Sequence, residues 1–251
     1  MPWQNSSAAN VVTAPASNRL RMASGPLSSL QLRILSAAVM LPVAVGAAWV
    51  GGIAFNALIV LAGIAMLWEW WRFPRQATTQ PAAWTCGPLW ILLGLIYVIL
   101  PCAALIWLRQ TPEIGRHIVF WLFCAVWATD TGAYFAGRTI GGPKLIPRIS
   151  PNKTWAGLLG GMVAAGIAGG LIAGLDPAMP ALMLAALAAL VAVVAQAGDF
   201  TESAVKRYFG AKDSSQLIPG HGGVLDRLDG LLFAAPFIAA WDLLSGRMLW
   251  G

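Results

Sequence analysis

The sequence predicts an all-α, polytopic integral membrane protein: a helical bundle of about seven transmembrane helices with its N-terminus in the cytoplasm. Three observations predict it. Of the 251 residues, 58% are hydrophobic and only 10% charged, whereas an ordinary soluble domain is roughly one quarter charged. Apolar runs close to the ~20 residues a helix needs to cross hydrocarbon recur along the chain. The cations that remain are unevenly shared among the connections between those runs.

The apolar runs occupy residues 33–52, 53–71, 87–108, 117–137, 155–175, 180–198 and 230–250. Only a helix or a closed barrel satisfies its backbone inside a bilayer, and runs of this length are helices. Pro42, Pro101 and Pro236 fall inside runs and could divide them, so the count extends from seven to nine. Residues 1–30, rich in Ser, Ala and Asn, read as a flexible tail, residues 31–110 as N-terminal transmembrane helices, and residues 111–251 as a C-terminal transmembrane catalytic region. The run after Arg19 and Arg21 exceeds a signal-peptide core and leads directly into another span, which favours a retained helix over a cleaved one. Cys86, Cys102 and Cys124 show no CxxC spacing and read as packing residues rather than disulfide or zinc ligands.

With the N-terminus inside, the tail, the 72–86 loop, the 138–154 loop and the 199–229 loop share one side and hold 13 of the 16 Lys and Arg residues. Only Arg109, Arg116 and Arg247 lie opposite, so the positive-inside rule sets the cytoplasmic side. The net charge of +6 follows from this bias and from attraction to anionic lipid. Nucleic acid is excluded as a partner, because the basic residues are divided among separate loops and form no nucleic-acid-binding module.

The acids concentrate in one place. Asp199, Glu202, Asp213, Asp226 and Asp229, five of the ten acidic residues, fall within 31 residues. Asp199, Glu202 and Ser203 stand at i, i+3, i+4 and would share a helix face, as would Asp226 and Asp229. With Lys206, Arg207, Lys212 and Arg227 interleaved, these oxygens suit a hard cation shared with a polyphosphate, since magnesium takes one or two carboxylates and completes its shell with water and phosphate. Gly220, Gly222 and Gly223 around His221 let a backbone turn tightly against a ligand, which a merely solvated loop does not require. His221 is weighed evenly between a structural role and a phosphate contact, and is not assigned as a general base. His117, at the opposite end of a span, reads as structural.

Asp130, in "WATDTGAYFAG", lies inside an apolar run. A carboxylate there is costly and by default faces a polar cavity, the competing reading being an interhelical hydrogen bond. Asp242, in the last span, is left unassigned. A second polar segment, "GGPKLIPRISPNKTWAG" at 141–157, brings Lys144, Arg148 and Lys153 with Ser150 and Thr154 to the start of a helix, where free N–H groups favour phosphate. Positive-inside anchoring alone is its plainer explanation, and the spacing of a P-loop is absent.

The run "SAVKRYFGAKDSSQLIPGHGGVLDRLD" at 203–229 resembles the signature of phosphatidate cytidylyltransferases, also called CDP-diacylglycerol synthases. The likeness rests on S-x-x-K-R at 203–207, K-D at 212–213 and P-x-H-G-G-x-x-D-R-x-D at 219–229, with "WATDTGAYFAG", "PRISPNKTWAG" and "GDFTES" in family order upstream. It spans roughly residues 118–240; the segment before residue 110 is short for the family. The resemblance implies transfer of a cytidylyl group from CTP to phosphatidic acid, with magnesium and room for a second metal ion. It implies catalytic roles for Asp199, Asp226, Lys206, Arg227 and Asp229. Metal ligation would fall to Asp199, Asp226, Asp229, Glu202 and Ser203. Substrates would meet Asp130, Arg148, Ser150, Lys153, Thr154, Arg207, Lys212, His221, Gly222 and Gly223. The expected location is a bacterial inner membrane with the active site facing the cytoplasm, and a homodimer is left open. Rival readings are a polyprenol kinase or an archaeal-type CDP-lipid synthase. An ion transporter is disfavoured because the acids gather at one face, and a structural scaffold is disfavoured by the glycine-framed charge cluster.

Overall fold

The computed structural model describes residues 29–77, 82–176 and 179–245; of the expected tail, residues 1–28 lie outside the described residues. Seven α-helices follow in order: α1 Ser29–Val50, α2 Gly52–Gln76, α3 Pro88–Gln110, α4 Gly115–Thr139, α5 Trp155–Ala173, α6 Ala181–Tyr208 and α7 Leu225–Leu244. The only sheet among the described residues is a hairpin of β1 Lys144–Ile146 and β2 Ser150–Thr154, antiparallel, pairing Lys144 with Thr154 and Ile146 with Ser150. The structure is that of a polytopic helical membrane protein.

Among the described residues, six helices are long and apolar enough to cross a membrane, and α7 is not one of them. Asp226, Arg227 and Asp229 in its first turns and Asp242 near its end dilute an otherwise apolar helix. Pro42, Pro101 and Pro236 do not divide α1, α3 and α7, each of which runs through its proline. Helices packed in a membrane tolerate the lost hydrogen bond because neighbours and small local adjustments satisfy the freed carbonyl.

Two expected loops are corrected. The segment 199–229 is helical at both ends: α6 continues to Tyr208 and α7 begins at Leu225, leaving 209–224 as the connection. Helix α6 extends because its polar end supplies its own i,i+4 partners, Lys206 with Glu202 and Ser203 with Asp199. The segment 138–154 is likewise mostly the end of α4 and the hairpin, and Thr154 caps α5 by accepting from the Gly157 amide at 3.0 Å. The last span begins five residues before residue 230, and residues 246–251 lie outside the described residues.

The main core joins α3, α4, α5, α6 and α7 through fully buried residues such as Ile118, Leu122, Ala188, Val191 and Ile238. Helices α4 and α5 approach closely because small residues face each other: a Cβ on Gly160 would collide with Ala136, and one on Gly132 with Ala164. A second, aromatic core lies under the 209–224 connection. There Trp70 stacks on Trp90 at 4.3 Å and Phe73 on Phe209 at 5.8 Å, binding the end of α6 and, through buried Leu225, the start of α7 to α2. Helix α1 is peripheral, with 6% of its apolar window buried. It is fastened near both ends: Arg109 donates to the carbonyls of Ala48 and Trp49 at 2.7 and 3.1 Å, and Arg33 donates to that of Gly220 at 3.0 Å.

Candidate active site

The charged residues meet where the last turns of α6 face the first turns of α7. Helix α7 starts with unsatisfied backbone N–H groups, and a carboxylate from another helix receives two of them. Fully buried Glu69 of α2 accepts from the amides of Val224 and Leu225, both at 2.8 Å, and from the hydroxyls of Ser215 at 2.6 Å and Ser214 at 3.0 Å. Gly223 has no side chain for a steric reason, since a Cβ there would overlap Ser214 and press on Glu69. The first turn of α7 is thereby fixed against α2, and Asp226 is fixed with it.

Asp226 uses one carboxylate oxygen to accept from the Ser214 and Gly223 amides at 2.8 and 2.9 Å, and that oxygen also lies 2.9 Å from the Ser214 hydroxyl, whose single hydrogen it shares with Glu69. The other receives Lys206 at 2.6 Å, and Lys206 also reaches Glu202 at 2.7 Å. Glu202 and Asp226 are 2% and 5% exposed, so this ammonium joins two desolvated carboxylates from two helices. Removing one partner of such a group costs about 3–5 kcal/mol, because the remaining charge stays buried without compensation.

One turn earlier on α6, Asp199 accepts from the Ser203 hydroxyl at 3.2 Å and pairs with Lys153 of β2 at 2.5 Å. Lys153 also lies 4.6 Å from the centre of the Phe200 ring. This pair lines an open cavity of about 570 Å³ between α4, the hairpin, α5 and α6, together with Asp130, Tyr134, Arg138 and Gln196. Asp229, whose carboxylate accepts from the Gly230 amide at 2.8 Å, is within electrostatic reach of Asp199, Asp130 and Lys153, and Asp130 is within reach of Arg227. In formal charge, five carboxylates (Asp130, Asp199, Glu202, Asp226 and Asp229) face four cations (Arg138, Lys153, Lys206 and Arg227). The excess is negative.

The structure thus brings Asp130, Lys153, Asp199, Glu202, Ser203, Lys206, Asp226, Arg227 and Asp229 into one region. Thr154 lines the cavity, with its hydroxyl engaged as the α5 cap. Gly222 pairs with Ile218 across a tight turn, and Gly223 serves Asp226. Arg148 and Ser150 sit on the hairpin, and neither lines the cavity. Arg207 is exposed on α6. Lys212 lines a different cavity, also about 570 Å³, with Trp68, Arg72, Gln76 and Gln216. His221 is held by α1: its Nδ1 is 2.6 Å from the Ser36 hydroxyl oxygen. Burial first, then the guanidiniums of Arg227 and Arg33, hold its imidazole below the ordinary histidine value.

A family description, "Cytidylyltransferase family", matches residues 88–242, and this stretch contains every one of these residues except Glu69 and the α1 and α2 contacts. The chain belongs to the cytidylyltransferase family. It is 39% identical to a phosphatidate cytidylyltransferase of Brucella suis, covering 84% of this chain and 93% of that protein. Phosphatidate cytidylyltransferases of Rickettsia bellii and Rickettsia felis are 37% and 34% identical, each over 84% of this chain and 90% and 91% of theirs. Membership makes the chain a nucleotidyl-transferring enzyme, and the charged region at the α6–α7 junction lies wholly within the matched segment.

Sequence reasoning missed Glu69, Ser214, Gln196 and Ser36. Gln196, a buried amide inside an apolar run three residues before Asp199, carried a signal of the kind that singled out Asp130. Ser214 sits between signature residues. Glu69, a carboxylate inside the apolar run 53–71, carried the same signal as Asp130, whereas Ser36, one small hydroxyl in an apolar helix, carried none.

Proposed function

We propose that this chain transfers a cytidylyl group from CTP to phosphatidic acid, leaving CDP-diacylglycerol in the membrane and releasing pyrophosphate. The observation that carries this reading is the convergence of two lysine–carboxylate groups from α6, α7 and the hairpin on one end of a membrane bundle, beside an open cavity. The names of the relatives support the two substrates. The Lys and Arg asymmetry supports a cytoplasmic site in a bacterial inner membrane, reachable by CTP from the water and by phosphatidic acid from the bilayer.

In the proposed reaction a phosphate oxygen of phosphatidic acid attacks the α-phosphorus of CTP. A new P–O bond forms as the bond from the α-phosphorus to the bridging oxygen of the β-phosphate breaks, and pyrophosphate carries away the electron pair. The nucleophile is already an anion, so the obstacle is charge repulsion rather than deprotonation. Lys153 and Lys206 offer ammonium groups, and Arg227 a guanidinium, to the phosphates. Asp199 orients Lys153, while Asp226 and Glu202 orient Lys206. Exposed Arg207 and the hairpin's Arg148 would attract polyanions at longer range.

The donor set fits a hard divalent cation. Among the described residues no three His, Cys, Asp or Glu side chains converge as a ready-made cage, and magnesium ordinarily takes one or two carboxylates with water and substrate phosphate. Asp199, Asp226 and Asp229, with Glu202 and Ser203 alongside, would hold it. When bound it supplies positive charge to the triphosphate and the departing pyrophosphate.

The test is direct: purified protein in vesicles containing phosphatidic acid, given magnesium and cytidine-labelled CTP, should move label into the lipid extract and release pyrophosphate one for one. Folded protein that yields neither product overturns the reading, and label retained in CDP with a phosphorylated polyprenol would transfer it to the kinase class.

A further inference from the structure

The peripheral helix α1 makes an unusual contact for a helix so little buried. Its Ser36 and Arg33 reach the 218–222 turn, more than 180 residues away in sequence. The turn is shaped to receive them: Gly220 has φ +76°, and a Cβ there would press on the Arg33 amide and the Leu32 carbonyl carbon at 3.0 and 3.2 Å. Arg33 donates to the Gly220 carbonyl, and Ser36 stands within 2.6 Å of His221 Nδ1.

The surroundings of Ser36 decide which atom carries the proton. Its hydroxyl oxygen is 2.8, 3.2 and 3.1 Å from the carbonyl oxygens of Leu32, Arg33 and Pro219, none of which can donate. A hydroxyl has one hydrogen. If it went to the imidazole, the carbonyls would face the serine's lone pairs at hydrogen-bond distance, an unfavourable arrangement. If it goes to a carbonyl, one of these contacts becomes a hydrogen bond, and the short Ser36–His221 contact is filled by Nδ1–H donating to the serine oxygen. The neutral ring then carries its hydrogen on Nδ1 and a lone pair on Nε2, which takes no hydrogen bond from the described residues.

We propose that Ser36 is a positioning residue for His221: it keeps the Nδ1 proton turned toward α1, so that Nε2 gains a proton and donates to a substrate phosphate when that anion docks. The inference rests on the cytidylyl-transfer reading for the identity of the phosphate. The charged groups facing the ring are Arg33 of α1 and Arg227 of α7, and with burial they disfavour the imidazolium in the unliganded protein. An arriving phosphate reverses that balance. Nε2 takes a proton from water, and the imidazolium then makes a charge-assisted hydrogen bond to the phosphate oxygen. The turn lies beside the rest of the site, because a Cβ on Gly222 would stand 3.0 Å from the Asp226 carboxylate.

The chain has two histidines, so ¹⁵N-labelling of histidine gives two imidazoles, with His117 as internal control. The wild-type protein in nanodiscs should show His221 as the Nδ1–H tautomer at pH 8, and Ser36→Ala should convert it to a mixture while leaving His117 unchanged. Ser36→Thr, which keeps the hydroxyl, should restore the wild-type spectrum. Titration with CTP in one sample and phosphatidic acid in another should raise the His221 pKa with whichever substrate supplies the phosphate. In turnover, Ser36→Ala should raise the KM of that substrate several-fold and shift its pH dependence, with kcat nearly preserved. An Nε2–H tautomer in the wild type, or a His221 titration unmoved by both substrates, overturns the proposal. Failure of the cytidylyl-transfer assay would leave the tautomer measurement standing, so the two readings fail separately.

Discussion

Glu69→Gln isolates the contact that anchors α7. Glu69 receives four donors, two on each oxygen: Ser215 and the Val224 amide on one, Ser214 and the Leu225 amide on the other. Glutamine keeps the shape but replaces one oxygen with an amide nitrogen. A serine hydroxyl can rotate to accept from that nitrogen, whereas a backbone N–H cannot, so either orientation leaves one buried amide facing a second donor. An unsatisfied buried donor costs about 1–3 kcal/mol, and loss of charge from the remaining bonds brings the total to about 2–4 kcal/mol. For a chain of this size that lowers Tm by roughly 5–15 °C. The assay is thermal unfolding in detergent followed by tryptophan fluorescence, for which the stacked Trp70–Trp90 pair beside Phe73 is a local reporter. Turnover should fall as well, because Asp226 is positioned by the same turn. A variant with wild-type Tm and wild-type turnover would refute the claim that this carboxylate organises the start of α7.

Asp226→Asn should reduce turnover at least a hundredfold while the protein still inserts and folds, as measured by label transfer and size-exclusion chromatography. The amide oxygen can keep the Ser214 and Gly223 bonds, but Lys206 loses a charged partner. Lys153→Ala should raise the apparent KM of CTP or phosphatidic acid several-fold, and unchanged steady-state constants would return the hairpin to a role in topology. Gly160→Leu should separate α4 from α5, lowering thermal stability and widening the cavity that Asp130 and Lys153 line, so that turnover and Tm fall together.

The helices were legible because lipid solvation imposes apolar runs of fixed length, and six of the seven satisfy that requirement directly. Helix α7 was placed late because its first turns carry Asp226, Arg227 and Asp229, which resemble loop until Glu69 is seen receiving the amides beneath them. The extension of α6 was obscured in the same way: hydropathy ended at Gly198, although the spacing of Asp199, Glu202 and Ser203 already described a helical face. The charged members of the site could be found locally, since charge is rare in this chain. Which support holds which of them could not. Glu69 lies 145 residues from Ser214, and Ser36 lies 185 from His221, distances over which no periodicity carries information.

The balance of charge at the α6–α7 junction separates two roles for its carboxylates. If they served only to hold Lys153 and Lys206 in place, neutralising Asp226 would leave the site more positive, and CTP would bind at least as tightly with or without a divalent cation. If they also hold magnesium, the same change removes a ligand, and the gain in CTP affinity that magnesium confers on the wild type should shrink or vanish. Five carboxylates against four cations favour the second role, because a site meant to receive two phosphate-bearing anions would otherwise repel both. Equilibrium binding of CTP to wild-type and Asp226→Asn protein, each with and without magnesium, reads this difference as a coupling that no change in folding stability alone would produce. Magnesium coupling undiminished in the variant would move the metal away from Asp226 and leave that residue only its hold on Lys206.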